Sequence, residues 1–334
     1  MSDDFCEDIW LALIRWYRLN GRDLPWRHTN DPYAILVSEI MLQQTQVERA
    51  IIKYQEFLET FPTLQSLAAA APADVIRAWA TLGYNSRAIR LQTIAKIILT
   101  QYNGVFPSEP EQLLLLPGIG AYTAGAVACF AFKKSAAAVD TNIRRTLWRI
   151  FKGEVFKPAN TPKEEYAFAQ SVVPPNGDDA YLWNQALMDL GSSVCLPAAP
   201  KCDICPLINN CRAAVIARRH SLFPEDASVA PILRAAIAEE SEKYIVGSQK
   251  RPQKPFRQSS RFFRGRIIHA LREQPGAILL TELGPMIKQD WEEHNLSWLE
   301  DLVSGLVRDK LAIWADDLHM AATLDGASTD LLLD

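Results

Sequence analysis

Four of the chain's six cysteines fall within seventeen residues, where Cys195, Cys202, Cys205 and Cys211 form a C-x6-C-x2-C-x5-C loop that also holds Pro197, Pro200 and Pro206. Three arrangements answer to that spacing: two disulfides, a structural zinc, or an iron–sulfur cluster. Disulfides belong to oxidising compartments, and nothing in the N-terminal sequence reads as an export signal. Zinc sites usually pair two short C-x2–4-C knuckles across a longer gap, and only one short gap exists here. A [4Fe–4S] cluster needs four thiolates around a cube, which three unequal gaps in one loop can supply. Spacing alone leaves zinc and cluster both open. Cys6 and Cys129 stand by themselves in apolar settings and read as small buried hydrophobes.

With 334 residues and 49% hydrophobic content, the chain can bury a full core in two or three compact units. Its opening, SDDFCEDIWLALIRWY, is acidic and amphipathic, with no basic n-region. No apolar stretch reaches the ~18 residues of a spanning helix. These features predict a cytoplasmic protein with no membrane partner. The formal charge of −4 is uneven: residues 281–334 hold twelve Asp+Glu against three Lys+Arg, a local −9, so residues 1–280 carry +5. A polyanion is therefore to be sought before Thr281.

Residues 31–100 read as successive amphipathic helices, without the Asn-Gly turns of strand hairpins. Asp31 is a candidate N-cap and Pro32 a first helical residue, followed by YAILVSEIMLQQT. Ile35, Leu36, Val37, Ile40, Met41 and Leu42 surround that helix axis, and Glu39 lies among them. A carboxyl so placed is expected to be desolvated, which favours its protonated form at neutral pH. Next comes Leu116-Pro117-Gly118-Ile119-Gly120, between the apolar segments EQLLLL and AYTAGAVACFAF. Its glycines, Gly118 and Gly120, allow backbone geometry closed to other residues and expose helix N-terminal amides suited to a DNA phosphate. Twenty residues after Gly120 stands a second carboxyl, Asp140, in VDTN. A helix-hairpin-helix, then an aspartate, then a four-cysteine loop is far more specific than any one of them.

Taken together, these motifs resemble the endonuclease III and MutY family of DNA glycosylases. The resemblance runs from about Leu24 to Cys211 through LPWR at 24–27, SEIMLQQTQV at 38–47, LGY at 82–84, LPGIGAYTAG at 116–125, DTNIRR at 140–145 and NQALMDLG at 184–191. It implies a mainly all-α, helix-hairpin-helix glycosylase fold. Its parts are expected as a terminal-helix and cluster domain over 1–30 and 136–222, and a six-helix barrel over 31–135. In such proteins Cys195, Cys202, Cys205 and Cys211 would hold a structural [4Fe–4S] cluster, with Lys201 and Arg212 as candidate phosphate contacts. The partner is double-stranded DNA bearing a mismatched or oxidised pair, met in the nucleoid by a protein expected to be monomeric.

The resemblance also assigns roles. Breaking an N-glycosidic bond develops oxocarbenium character on the sugar, and two carboxyl groups in different protonation states serve that chemistry. Glu39 would protonate the departing adenine, Asp140 would stabilise the cationic sugar or bond to it transiently, and Asn142 would orient the pair. Tyr122 stands where bifunctional members carry a lysine that forms a Schiff base, so base removal without true lyase activity is expected. Trp26, Arg27 and Gln185 match positions that embrace adenine, and Gln44 and Tyr84 match residues that enter the base stack. Asn85 departs from a second tyrosine common in the family.

After Leu222 these motifs cease. MutY proteins normally carry a Nudix-like domain that reads 8-oxoguanine, and neither its strand pattern nor its Phe-Ser-His element is found here. Residues 223–260 read as a linker. Between Gln249 and Arg266 lie seven Lys+Arg and no acid, interleaved with Phe256, Phe262 and Phe263, a composition suited to a phosphate backbone. From Arg261 three helices and a hairpin predict a small winged-helix-like domain over 261–334, facing DNA by its basic edge or a protein partner. Adenine opposite 8-oxoguanine or guanine is the expected substrate. Thymine or uracil opposite guanine, and a catalytically silent iron–sulfur DNA-binding protein, are the alternatives.

Overall fold

In the computed structural model, which describes residues 3–155, 161–219, 228–247, 256–274, 276–315 and 319–324, helices dominate. The N-terminal half runs through α1 (Asp3–Asn20), α2 (Pro32–Leu42), α3 (Val47–Thr60), α4 (Leu64–Ala69), α5 (Pro72–Trp79), α6 (Ser86–Gln101), α7 (Pro110–Leu113) and α8 (Ala121–Phe132). There follow α9 (Thr141–Leu147), α10 (Pro162–Ser171), α11 (Gly177–Ser193), α12 (Arg212–Arg219), α13 (Val229–Gly247), α14 (Ser260–Glu273), α15 (Leu280–Ile287) and α16 (Leu296–Arg308). Three short strands, β1 (Ile278–Leu279), β2 (Ile313–Trp314) and β3 (Ala321–Thr323), pair antiparallel in the order β1-β3-β2. Among the described residues no helix is long and apolar enough to cross a membrane.

The chain packs as two compact units, one of residues 1–35, 107–115 and 119–250, the other of 36–106, 116–118 and 251–334. In the first, Ile9 and Leu13 of α1, Ile143 and Leu147 of α9, and Trp183, Leu187 and Leu190 of α11 form the core with Trp148 and Phe151. Full burial of such side chains is worth about 1.5–3 kcal/mol each against leaving them in water. Helix α8, expected in the barrel, groups with this unit because it packs on α7 and α11. Val229–Gly247 lies within the span read as a linker but is helical. Val229 and Leu233 seat on Ala213, Ala214 and Ala217 of α12, and Pro231 falls in the first turn, where its missing N–H costs nothing.

In the second unit α14, α15, α16 and the small sheet form the winged-helix-like module expected from the sequence. Ile267, Leu271, Leu283, Leu299, Val303 and Leu306 close its core, and the same cluster takes in Ala73 and Ile76 of α5 and Ile89 of α6. The module thus shares a core with the helices that precede the hairpin. Much of the basic stretch read before it, residues 249–255, lies outside the described residues.

Candidate active site

Asp140 caps α9, its Oδ1 accepting from the Ile143 amide at 2.6 Å and its Oδ2 from Asn142 Nδ2 at 2.9 Å. Burial raises its pKa above the ordinary aspartate value, against the lowering pull of those two donors and of Arg145. Arg145 in turn donates to Asn142 Oδ1 at 2.9 Å, to the Gly191 carbonyl at 2.6 Å and to the Cys195 carbonyl at 2.9 Å. Residue 191 must be small, since a Cβ there would lie 2.8 Å from that of Asn142.

The approach to Asp140 is an irregular segment, 133–139, with no strand beside it among the described residues. Its backbone is satisfied instead by two side-chain amides. Gln170 accepts from the Ala137 amide and donates to the Ser135 carbonyl, both at 2.8 Å. Asn184, 1% exposed, accepts from the Ala138 amide at 2.9 Å and donates to the Ala136 carbonyl at 3.0 Å. Gly125 of α8 lets this segment come close, since a Cβ there would meet the Ala137 carbonyl oxygen at 2.0 Å. Neighbouring Gln185, read as an adenine ligand, is 5% exposed on α11.

The LPWR turn is a single 3-10 turn over Pro25–Arg27 with Trp26 buried. Arg27 makes a two-pronged pair with Asp189 of α11, both bonds 2.9 Å, and also donates to the Arg22 carbonyl at 2.7 Å. Arg22 adds a third grip on Asp189 through its amide at 2.9 Å and Nε at 2.7 Å. Burial would raise the Asp189 pKa, but the two arginines together hold it below the usual range. The guanidinium read as an adenine contact is therefore engaged in fastening the turn to α11. Asp189 and Asn184 were legible only as parts of NQALMDLG, with no role attached.

Helix α2, which belongs to the second unit from Leu36 onward, is apolar nearly all round, as its sequence predicts, and Glu39 is 4% exposed within it. Its start is also as read, with Asp31 Oδ1 accepting from the Tyr33 amide at 3.0 Å. Gln44 and Tyr84, the two residues read as entering the base stack, are exposed and both hold left-handed backbone, at φ +59° and +48°. Such conformations cost of order 1 kcal/mol or more in a non-glycine residue and persist where surrounding structure enforces them. Here Arg87 does so. Its guanidinium donates to the carbonyls of Ile40 at 2.9 Å and Met41 at 3.2 Å on one side, and to those of Leu82 at 3.2 Å and Gly83 at 3.1 Å on the other. It also lies 5.4 Å from the Trp79 ring and 5.5 Å from that of Tyr84. Burial lowers its pKa to about 10, which leaves it charged at neutral pH. Sequence reasoning passed over Arg87 because a guanidinium in the first turn of a helix usually faces water.

At the hairpin Gly118 has φ +74°, so glycine is required there, and Gly120 is the N-cap of α8 without a side-chain cap. Nothing stands within 4 Å of where a Gly120 Cβ would be, so the first-turn amides have open space before them. Tyr122 sits half-buried in that turn.

The four clustered cysteines are free thiols, which sets aside the disulfide reading. All four line one pocket, closed by Arg149, Ile150, Leu190 and Leu207. Burial pushes Cys202 and Cys205 up to about 12 and Cys211 up to about 11, and the neighbouring thiols add to each rise. The buried Arg149 answers with a donor 3.5 Å from Cys195 Sγ and bonds to the Leu196 and Pro197 carbonyls at 2.7 and 2.8 Å. Among the described residues no three His, Cys, Asp or Glu side chains are arranged around a single metal ion. A cube asks for something different, since each thiolate takes its own iron and the sulfurs stand further apart than around one zinc. Lys201 and Arg212 beside the cysteines are both exposed.

Residues 37–175 match the family described as HhH-GPD superfamily base excision DNA repair protein. The chain is 37% identical over 298 residues to an adenine DNA glycosylase of Mycolicibacterium smegmatis, spanning 89% of this chain and 92% of that one. A match of that extent runs past the cysteine loop into the winged-helix-like region. An adenine DNA glycosylase of Homo sapiens is 41% identical over 215 residues, covering 60% of this chain and 38% of its own. Among solved structures, a thermostable thymine-DNA glycosylase aligns with a TM-score of 0.59 and 30% identity, over 64% of this chain and 98% of that one.

Proposed function

The chain belongs to the adenine DNA glycosylase family within the HhH-GPD superfamily, and from that premise we propose that it hydrolyses the N-glycosidic bond of adenine mispaired with 8-oxoguanine or guanine in duplex DNA. The observation that carries the mechanism is Asp140, half-buried and held by two donors on its carboxylate. Those donors favour the ionised form, which is the form that stabilises a cationic sugar. Glu39, enclosed in the apolar α2, is the acid that protonates the departing adenine. Asn142 keeps the Asp140 carboxylate turned toward the sugar. Trp26 and Gln185 face the base, while Arg27 acts through the turn it fastens to Asp189. Gly118 and Gly120 offer a phosphate the amides before α8. Tyr122 has no amine, so no Schiff base forms and an intact abasic site is left.

Cys195, Cys202, Cys205 and Cys211 would hold a [4Fe–4S] cluster. The fit rests on four free thiols around one pocket and on the Arg149 donor at Cys195. When bound, such a cluster supplies a covalent tie across a loop too short to make a core of its own. The protein acts as a monomer on double-stranded DNA.

The test is a set of duplexes holding adenine opposite 8-oxoguanine, adenine opposite guanine, and thymine or uracil opposite guanine, each read with and without alkali. Alkali-dependent breaks at adenine, abolished by Asp140→Asn, are expected. Breaks only at thymine or uracil, the base named for the thermostable structural relative, would overturn the substrate while leaving the two-carboxyl mechanism.

A further inference from the structure

Tyr84 is 41% exposed and lies at one wall of a groove of about 800 Å³ in the second unit. The facing wall is the start of α14 and the 3-10 turn before it, so the groove is framed by Arg49, Tyr84, Phe256, Arg261, Arg264 and His269. Its volume suits a nucleotide. The Arg261 guanidinium stands 4.0 Å from the Tyr84 ring centroid and 5.9 Å from that of Phe256, itself 62% exposed. Arg264 is paired with Asp309 and Arg272 with Glu273. Arg261 has no acidic partner among the described residues, and Asp309 is the groove's one acidic wall residue among them.

Exposed rings interleaved with an arginine free of carboxylates are what a single nucleic-acid strand needs: π-faces for bases and a charge for the phosphate between them. The placement also explains an oddity of charge. The C-terminal module is strongly acidic after residue 280, yet it turns the basic start of α14 toward this groove.

We infer that the groove between the 82–86 turn and α14 holds one nucleotide of the DNA strand opposite the extruded base, its phosphate against Arg261, which Tyr84 backs with its ring, and its base against the exposed ring of Phe256. The inference deepens the reading above and rests on it, because a residue filling the place of an extruded adenine faces the strand left behind. The winged-helix-like module thereby grips that strand from the unit that already carries Tyr84.

Binding of a duplex carrying a non-hydrolysable adenosine analogue, followed by anisotropy over a salt series, tests it without relying on turnover. Arg261→Ala is expected to weaken binding about tenfold near 0.1 M salt and to reduce the slope of log K against log salt by about one, with Arg261→Lys restoring the slope. Phe256→Ala is expected to weaken binding when a base stands opposite the analogue, and to change nothing when an abasic site stands there. Wild-type slope and affinity in Arg261→Ala would overturn the groove even if adenine is excised. Failure of the wild type to excise adenine, with the slope change present, would overturn the substrate and keep the groove.

Discussion

Replacing Asn184 by Ala removes the amide that serves as the only side-chain partner, among the described residues, of two buried backbone groups, the Ala138 N–H and the Ala136 C=O. Ala136 and Ala138 are 2% and 0% exposed, so water cannot take over easily. Each orphaned group costs about 1–3 kcal/mol, which puts the expected loss at about 2–6 kcal/mol before any term for the cavity. That is a large fraction of a typical domain's stability. The urea midpoint reads the loss. The single-turnover rate of adenine release, taken where the variant is still folded, reads displacement of Asp140, two residues beyond the anchored segment. Asn184→Asp separates the two bonds. It keeps an acceptor for Ala138 but turns an oxygen toward the Ala136 and Ala180 carbonyls that the wild-type amide donates to, at 3.0 and 2.9 Å. A carboxylate there has its folded-state pKa raised above the unfolded value, so the harm should be greatest at neutral pH and ease as pH falls and a donor returns. A loss under about 1 kcal/mol in Asn184→Ala, with an unchanged rate, would refute the claim that this amide stands in for a strand.

Two further outcomes follow from the same geometry. Asn142→Ala removes one of the donors that hold Asp140 down against burial, so the acid limb of the excision rate should move to higher pH; a limb that stays put or moves down would contradict the assignment. Arg87→Lys should lower stability by about 2 kcal/mol or more and weaken duplex binding, because an ammonium cannot span the carbonyls at 40–41 and 82–83 together, as thermal melting and anisotropy would register.

Much of the architecture was readable from residues alone. Asp31-Pro32 marked a helix start, the all-round apolar α2 announced burial of Glu39, and the spacing after Arg261 announced three helices and a wing. What could not be read were partners far apart in the chain. Arg27 looked like a base contact because nothing local shows that its carboxylate lies 162 residues away at Asp189. Helix α13 was hidden by the polar, alanine-rich composition around it, since Val229 and Leu233 are its two buried side chains, among those described, in the cluster with α12. Gly125 gave no sign that its missing Cβ admits the chain leading to Asp140. In each case the signal is a pairing in space, which periodicity and punctuation do not carry.

The loops presenting Gln44 and Tyr84 hang from one guanidinium. A shift of either loop pulls Arg87 off the carbonyls of the other, so the two cannot be retuned separately. An insertion after Met41 and one after Leu82 should each be as harmful alone as both are together, and lineages that alter the reach of one loop would have to alter the other in the same step. The reach of both side chains into DNA is thus inherited as a single dimension, set by the span of one arginine.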